Sequence, residues 1–286
     1  MPSSRSPFRG LAALVLAAAL APAGLAGLAC EDTGEFAARP AVEPVQPEES
    51  PSWEHPDDVA ERCVSDAPAD VVLRPLTLRG PGLHLRAAAV LPESPPRAAV
   101  VMLPQTGAHG LCGWLPYAAA LSSRGIAALS LDLCEGGESR CDADRSSAVA
   151  DQVDLAGEWL RRVAGASTVV VVGASMGGSQ AVRATAQGAA VDGWVDLSGP
   201  SAWDGTRLLD VAGRLRQPGL VVHARSDGAA SEFQAARTLA ERAGAQFLGL
   251  PGGHGWELVL TLDGAETRAG RAVAEFVLGA RRHRDG

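Results

Sequence analysis

Six short apolar runs separated by stretches of helical periodicity constrain this chain more than any other feature. AAVVML (98–103), IAALSLDL (126–133), TVVVVG (168–173), GWVDLS (193–198), GLVVHA (219–224) and QFLGL (246–250) are apolar nearly throughout instead of alternating. A strand with apolar side chains on both faces must be covered on both faces. Helical segments of about ten to fifteen residues between strands supply crossovers that do so. The pattern predicts an α/β domain with a mostly parallel central sheet flanked by helices. Two earlier strands, 71–78 and 83–91, are joined by the turn Gly80-Pro81-Gly82. Helices are expected over about 115–123 and 148–163, from near Met176, and over about 265–281. No repeat of fixed period is present.

This domain is expected to span 63–286, because the residues before it read differently. Arg5 and Arg9 precede an apolar stretch from Leu11 to Leu20, and small residues lead on to Cys30. That is the make-up of a signal peptide over 1–29. Pro22 and the glycines at 10, 24 and 27 argue against a permanent membrane helix. LAGLAC (25–30) resembles a bacterial lipoprotein box, which implies lipidation of Cys30. The rival is ordinary signal-peptidase cleavage after Ala29, and the lipoprotein reading is preferred. Residues 31–62 hold 10 acids against 2 arginines and carry five prolines, so 30–62 is expected to be a disordered tether.

The tether's acids account for the whole formal charge of −8, which leaves the domain near neutral. No basic face for nucleic acid is therefore expected. Hydrophobic residues make up 47% of the chain, enough for a sizeable core. Setting Cys30 aside leaves Cys63, Cys112, Cys134 and Cys141, an even set suited to disulfides in an oxidising compartment. Their connectivity is open; a local Cys134–Cys141 bridge, leaving Cys63 with Cys112, is preferred. None has CxxC spacing and HExxH is absent, so no metal site is expected.

The candidate chemistry starts at GASMG (173–177). Its serine stands where an all-apolar strand gives way to a helix, and a sharp turn there exposes a hydroxyl. A serine hydroxyl needs a base to take its proton and a carboxylate to orient that base. Of six histidines, His55 lies in the tether, His283 at the C-terminus, and His84 and His223 within predicted strands. His109 and His254 remain. His254, in PGGHGW just after the last strand, is the better base, and Asp227 after GLVVHA the better acid, with Asp196 next. Parallel strands deliver such loops to one edge of the sheet, where Ser175, Asp227 and His254 converge.

In this order of nucleophile, acid and histidine the chain resembles the α/β-hydrolase superfamily over nearly all of 71–281. The resemblance implies an oxyanion hole made by the backbone N–H groups of Met176 and Thr106, the latter in PQTGAHG (104–110). Pro104-Gln105 stands where many members have His-Gly, a variant similar to dienelactone-hydrolase-type members, although those commonly use cysteine where this chain has Ser175. Gln105, His109 and Trp256 are candidate substrate contacts. Only about twenty residues separate GWVDLS from GLVVHA, so no large cap domain is expected. The function implied is a serine hydrolase cleaving a carboxylic ester or related acyl bond through an acyl-enzyme, with no cofactor. Its partners would be a small acyl substrate and, through the lipid anchor only, a membrane. The alternatives are a peptidase or amidase using the same triad, and a non-catalytic cell-envelope binding protein on the same fold.

Overall fold

The computed structural model describes residues 58–69, 71–134 and 137–280. The leader, Cys30 and the tether as far as residue 57 lie outside the described residues. The domain begins earlier than expected. A helical turn, α1 (Asp58–Arg62), buries Val59, and Cys63 is bonded to Cys112. The tether therefore does not run to residue 62, because an apolar anchor and a covalent tie outweigh local charge there.

The strands follow the apolar runs. In chain order they are β1 (Leu73–Gly80), β2 (Leu83–Val90), β3 (Ala98–Leu103), β4 (Ile126–Leu131) and the short β5 (Arg140–Cys141). Then come β6 (Val169–Ala174), β7 (Gly193–Leu197), the short pair β8 (Ala202–Trp203) and β9 (Thr206–Arg207), β10 (Gly219–Ala224) and β11 (Gln246–Leu250). The main sheet has the order β1-β2-β4-β3-β6-β7-β10-β11, with β5 beside β2. From β4 to β11 every neighbouring pair is parallel, whereas β1, β2 and β5 pair antiparallel at one side.

Helices cover both faces, and the strand residues divide between them with period two. Ala99, Val101 and Leu103 of β3 join Val169 and Val171 of β6 on one side, under α3 (Val149–Arg162), α4 (Met176–Ala186) and α6 (Ala230–Ala243). Val100 and Met102 join Val170, Val172 and Ala174 on the other, under α2 (Leu115–Ser122) and α7 (Arg268–Gly279). Burying each of the valine, leucine and methionine side chains among them contributes about 1.5–3 kcal/mol. Between β7 and β10 lie only β8, β9, the single turn α5 (Leu208–Val211) and a 3-10 turn (Ala212–Arg214), so no large cap intervenes.

From β3 the chain steps to β4 on one side, then crosses to β6 on the other. Strand order thus reverses at β3 and β6, whose carboxyl ends lie side by side with Leu103 opposite Gly173. Such a reversal opens a crevice at the carboxyl edge, where open α/β sheets bind ligands.

Candidate active site

β6 ends at Ala174 and α4 starts at Met176, so Ser175 alone makes the turn. Its φ of 51° and ψ of −118° lie outside the regions an L-residue prefers, which costs on the order of 1–3 kcal/mol. The surrounding contacts hold it there. Ser175 N–H donates to Leu197 O at 2.8 Å, and Ser175 O accepts from the N–H of Gly178 at 2.8 Å and Ser179 at 3.2 Å. The motif's glycines are steric necessities. A Cβ at 173 would sit 1.8 Å from Gly177 O, and one at 177 would sit 2.3 Å from Leu103 O and 2.6 Å from Pro104 O. The elbow is thus pressed against the end of β3. The Ser175 side chain stands half-exposed and makes no hydrogen bond among the described residues.

Asp227 and His254 meet because β10 and β11 remain paired beyond their ends. Ala224 is opposite Leu250, and Arg225 N–H then donates to Leu250 O at 2.9 Å and Ser226 N–H to Pro251 O at 3.3 Å. The two following loops therefore leave the sheet together. His254 Nδ1 lies 2.8 Å from Asp227 Oδ1 and 3.0 Å from Oδ2. In the neutral ring this makes Nδ1 the proton carrier and leaves Nε2 as the basic nitrogen. The carboxylate is largely buried while the imidazole is 44% exposed, so the ring remains reachable from solvent. The histidine loop also abuts the elbow, since a Cβ at Gly255 would lie 3.6 Å from the Ala174 Cβ.

Met176 opens α4, so its amide has no acceptor within the helix and sits at the helix's positive end. Thr106 is exposed in the loop after β3, the loop against which Gly177 packs. Gln105 is half-buried, and its Oε1 lies 3.4 Å from the Trp256 N–H. His109 is exposed, and its Nδ1 is 2.9 Å from Asp66 Oδ1. Trp256 meets Trp114 edge-on at 6.2 Å and His109 likewise at 6.2 Å, and its ring lies so near Gly113 that a Cβ there would be 2.4 Å away. Arg225 stacks over Phe233 at 4.6 Å.

Asp196, the second-choice acid, is fully buried in β7 and contacts the elbow from behind. Its Oδ1 accepts from Gly199 N–H at 2.7 Å, and its Oδ2 has no hydrogen-bond partner among the described residues. Burial pushes its pKa up to about 6, against the Gly199 hydrogen bond and the nearby His223, which both favour the charged form. His223 is itself buried, with Nδ1 on the Ala224 carbonyl at 3.1 Å.

The cystines are Cys63–Cys112 and Cys134–Cys141, the pairing preferred from sequence. The first ties α1 to the loop after β3; the second braces the loop after β4. One residue escaped the sequence reading. Asp132, fully buried at the end of β4, accepts from Leu111 N–H at 2.8 Å and Glu138 N–H at 3.1 Å and pairs with Arg62 at 2.9 Å. It gathers the loop after β3, the loop after β4 and α1 at one point. The available signal was its place at the carboxyl end of an almost wholly apolar strand. Among the described residues no group of three or more His, Cys, Asp or Glu is placed to hold a metal ion, and no helix is long and apolar enough to cross a membrane.

No family model matches the sequence, and no curated protein does. Solved structures do match. A predicted CIB-like hydrolase from Thermoplasma acidophilum aligns at a TM-score of 0.55 and 18% identity, over 73% of this chain and 99% of its own. The chain has the α/β-hydrolase fold. Est1E from Butyrivibrio proteoclasticus aligns at 0.55 and 17% identity, over 73% and 99%. The dienelactone hydrolase-like promiscuous phosphotriesterase P91 from metagenomic libraries aligns at 0.52 and 21%, over 72% and 95%. In this fold the loops after β3, β6, β10 and β11 share one edge, and those loops carry Gln105 and Thr106, Ser175, Asp227 and His254.

Proposed function

We propose that the domain is a serine hydrolase that cleaves a carboxylic ester or related acyl bond through an acyl-enzyme. The observation that carries this reading is the strained Ser175 elbow at the same sheet edge as the bonded Asp227–His254 pair. A strained backbone kept at a ligand-binding edge is a feature of functional turns, and the aspartate–histidine bond leaves the other ring nitrogen free to act as base.

In this mechanism Ser175 Oγ attacks the substrate carbonyl carbon as His254 Nε2 takes its proton. Asp227 holds the imidazole and stabilises its cation. The N–H groups of Met176 and Thr106 receive the carbonyl oxygen as it becomes negative. Collapse of the tetrahedral intermediate expels the alcohol, which takes the proton from His254. Water, deprotonated by the same nitrogen, then releases the acid. The partly exposed Ser175 hydroxyl makes no hydrogen bond among the described residues, and catalytic contacts of this kind tighten in the complex with substrate. The Cys63–Cys112 and Cys134–Cys141 bridges favour export, and the leader with Cys30 favours a lipid-anchored form held off the membrane by its acidic tether.

A panel of p-nitrophenyl acetate, p-nitrophenyl butyrate and peptide p-nitroanilides tests the reading. The expected result is ester turnover that Ser175→Ala and His254→Ala abolish. Asp227→Asn should reduce it by about 10⁴-fold with folding intact. Turnover unaffected by Ser175→Ala would overturn it, and peptide turnover exceeding ester turnover would favour the amidase reading.

A further inference from the structure

Gln105 is placed between the two loops that the proposed reaction must keep in register. It belongs to the loop after β3, one residue before Thr106, and its side chain crosses to the peptide just after His254. Its Oε1 faces the Trp256 N–H at 3.4 Å. The same oxygen lies so close over Gly255 that a Cβ there would be 2.0 Å from it, and Gly255 has a φ of 56°. The backbone after His254 therefore runs under the Gln105 amide, and a side chain at 255 would have to displace that amide. The same segment after β3 holds Trp256 a second time, because the Trp256 ring closes on Gly113 and meets Trp114 edge-on. Trp114 is anchored in turn, since its Nε1–H donates to Leu103 O at 2.9 Å.

We infer that Gln105 is a positioning residue that locks the histidine loop to the oxyanion loop by gripping the Gly255–Trp256 peptide. This rests on the serine-hydrolase reading above. Gln105 adds no charge and takes no proton; it keeps His254 and the Thr106 N–H at a constant separation across the cleft. Both groups act on the same tetrahedral centre, one at the serine proton and one at the oxyanion, so their relative position affects the transition state more than substrate binding. A direct substrate contact, the role considered from sequence, predicts the opposite, a rise in KM.

The test is ester kinetics on the folded domain. Gln105→Met keeps length and loses the acceptor; Gln105→Glu keeps an acceptor oxygen at the same reach. The expected result is a fall in kcat of about 10- to 100-fold for Gln105→Met with KM unchanged, and recovery of most of that loss in Gln105→Glu. A double-mutant cycle gives a second measure that does not depend on the methionine variant folding. Gly255→Ala should cost less activity in a Gln105→Ala background than in wild type, because the clash with Oε1 has gone. The backbone strain at Gly255 is common to both backgrounds and cancels. Wild-type kcat in Gln105→Met, a loss carried by KM, or additivity in the cycle would each overturn the inference. Absence of ester turnover in the wild type itself would overturn the hydrolase reading instead, and this inference with it.

Discussion

Asp196 makes the stability of this domain depend on pH in a calculable way. Its carboxyl is buried behind the elbow, one oxygen is bonded to Gly199 N–H and the other has no partner among the described residues, and its pKa rises from 3.8 to about 6. Between those two values the folded protein holds the proton and the unfolded chain has released it, so stability falls as pH rises through the window. The effect is absent below about pH 3.8 and complete above about pH 6. A rise of about two units corresponds to about 3 kcal/mol at neutral pH. Asp196→Asn preserves the shape and the acceptor for Gly199 but cannot ionise. Urea denaturation of both proteins from about pH 4.5 to about pH 7.5 isolates the effect, since every other titrating group is common to both. Stability of the variant minus that of wild type should increase by about 2 kcal/mol across this range, the part of the shift lying above about pH 4.5. Parallel profiles would refute the reasoning, and so would a gap that narrows as pH rises.

Two other predictions concern the scaffold of the cleft. Gly177→Ala puts a Cβ 2.3 Å from Leu103 O and 2.6 Å from Pro104 O, so the elbow and the oxyanion loop must separate. It should cost about 1–3 kcal/mol in urea stability and about 100-fold in ester turnover, and wild-type turnover would contradict the packing described. The Cys63–Cys112 bridge spans 49 residues, so replacing both cysteines by serine should cost up to about 4 kcal/mol of stability, read by urea denaturation under oxidising conditions. An unchanged midpoint would mean that α1 is not held by this bond.

The strands of this domain were legible because a sheet covered on both sides leaves continuous apolar runs, as in Ala98–Leu103 and Val169–Ala174, where every residue is buried. Ser175 was legible for a related reason. The glycines on either side of it mark a place where backbone meets backbone, and the contacts of Gly173 and Gly177 are of that kind. Asp227 and His254 could be paired because adjacent parallel strands end together. The start of the domain could not be read. Residues 58–62 carry acids and adjoin a proline-broken stretch, and tertiary contacts of Val59, Arg62 and Cys63 hold them. Asp132 escaped, and so did the contact between Gln105 and the histidine loop, for the same physical reason. A lone carboxylate or amide shows no periodicity, and its role depends on donors far away in sequence: Leu111 and Arg62 for one, Trp256 for the other.

The central claim, that Ser175 is the nucleophile of an acyl-transfer site, is tested most directly by locating a covalent adduct. Wild-type domain treated with a fluorophosphonate should gain one phosphonyl group, and peptide mass spectrometry should place it on Ser175. Labelling should disappear in Ser175→Ala and slow by orders of magnitude in His254→Ala. A folded domain that takes no label, or takes it on another residue, would contradict the account.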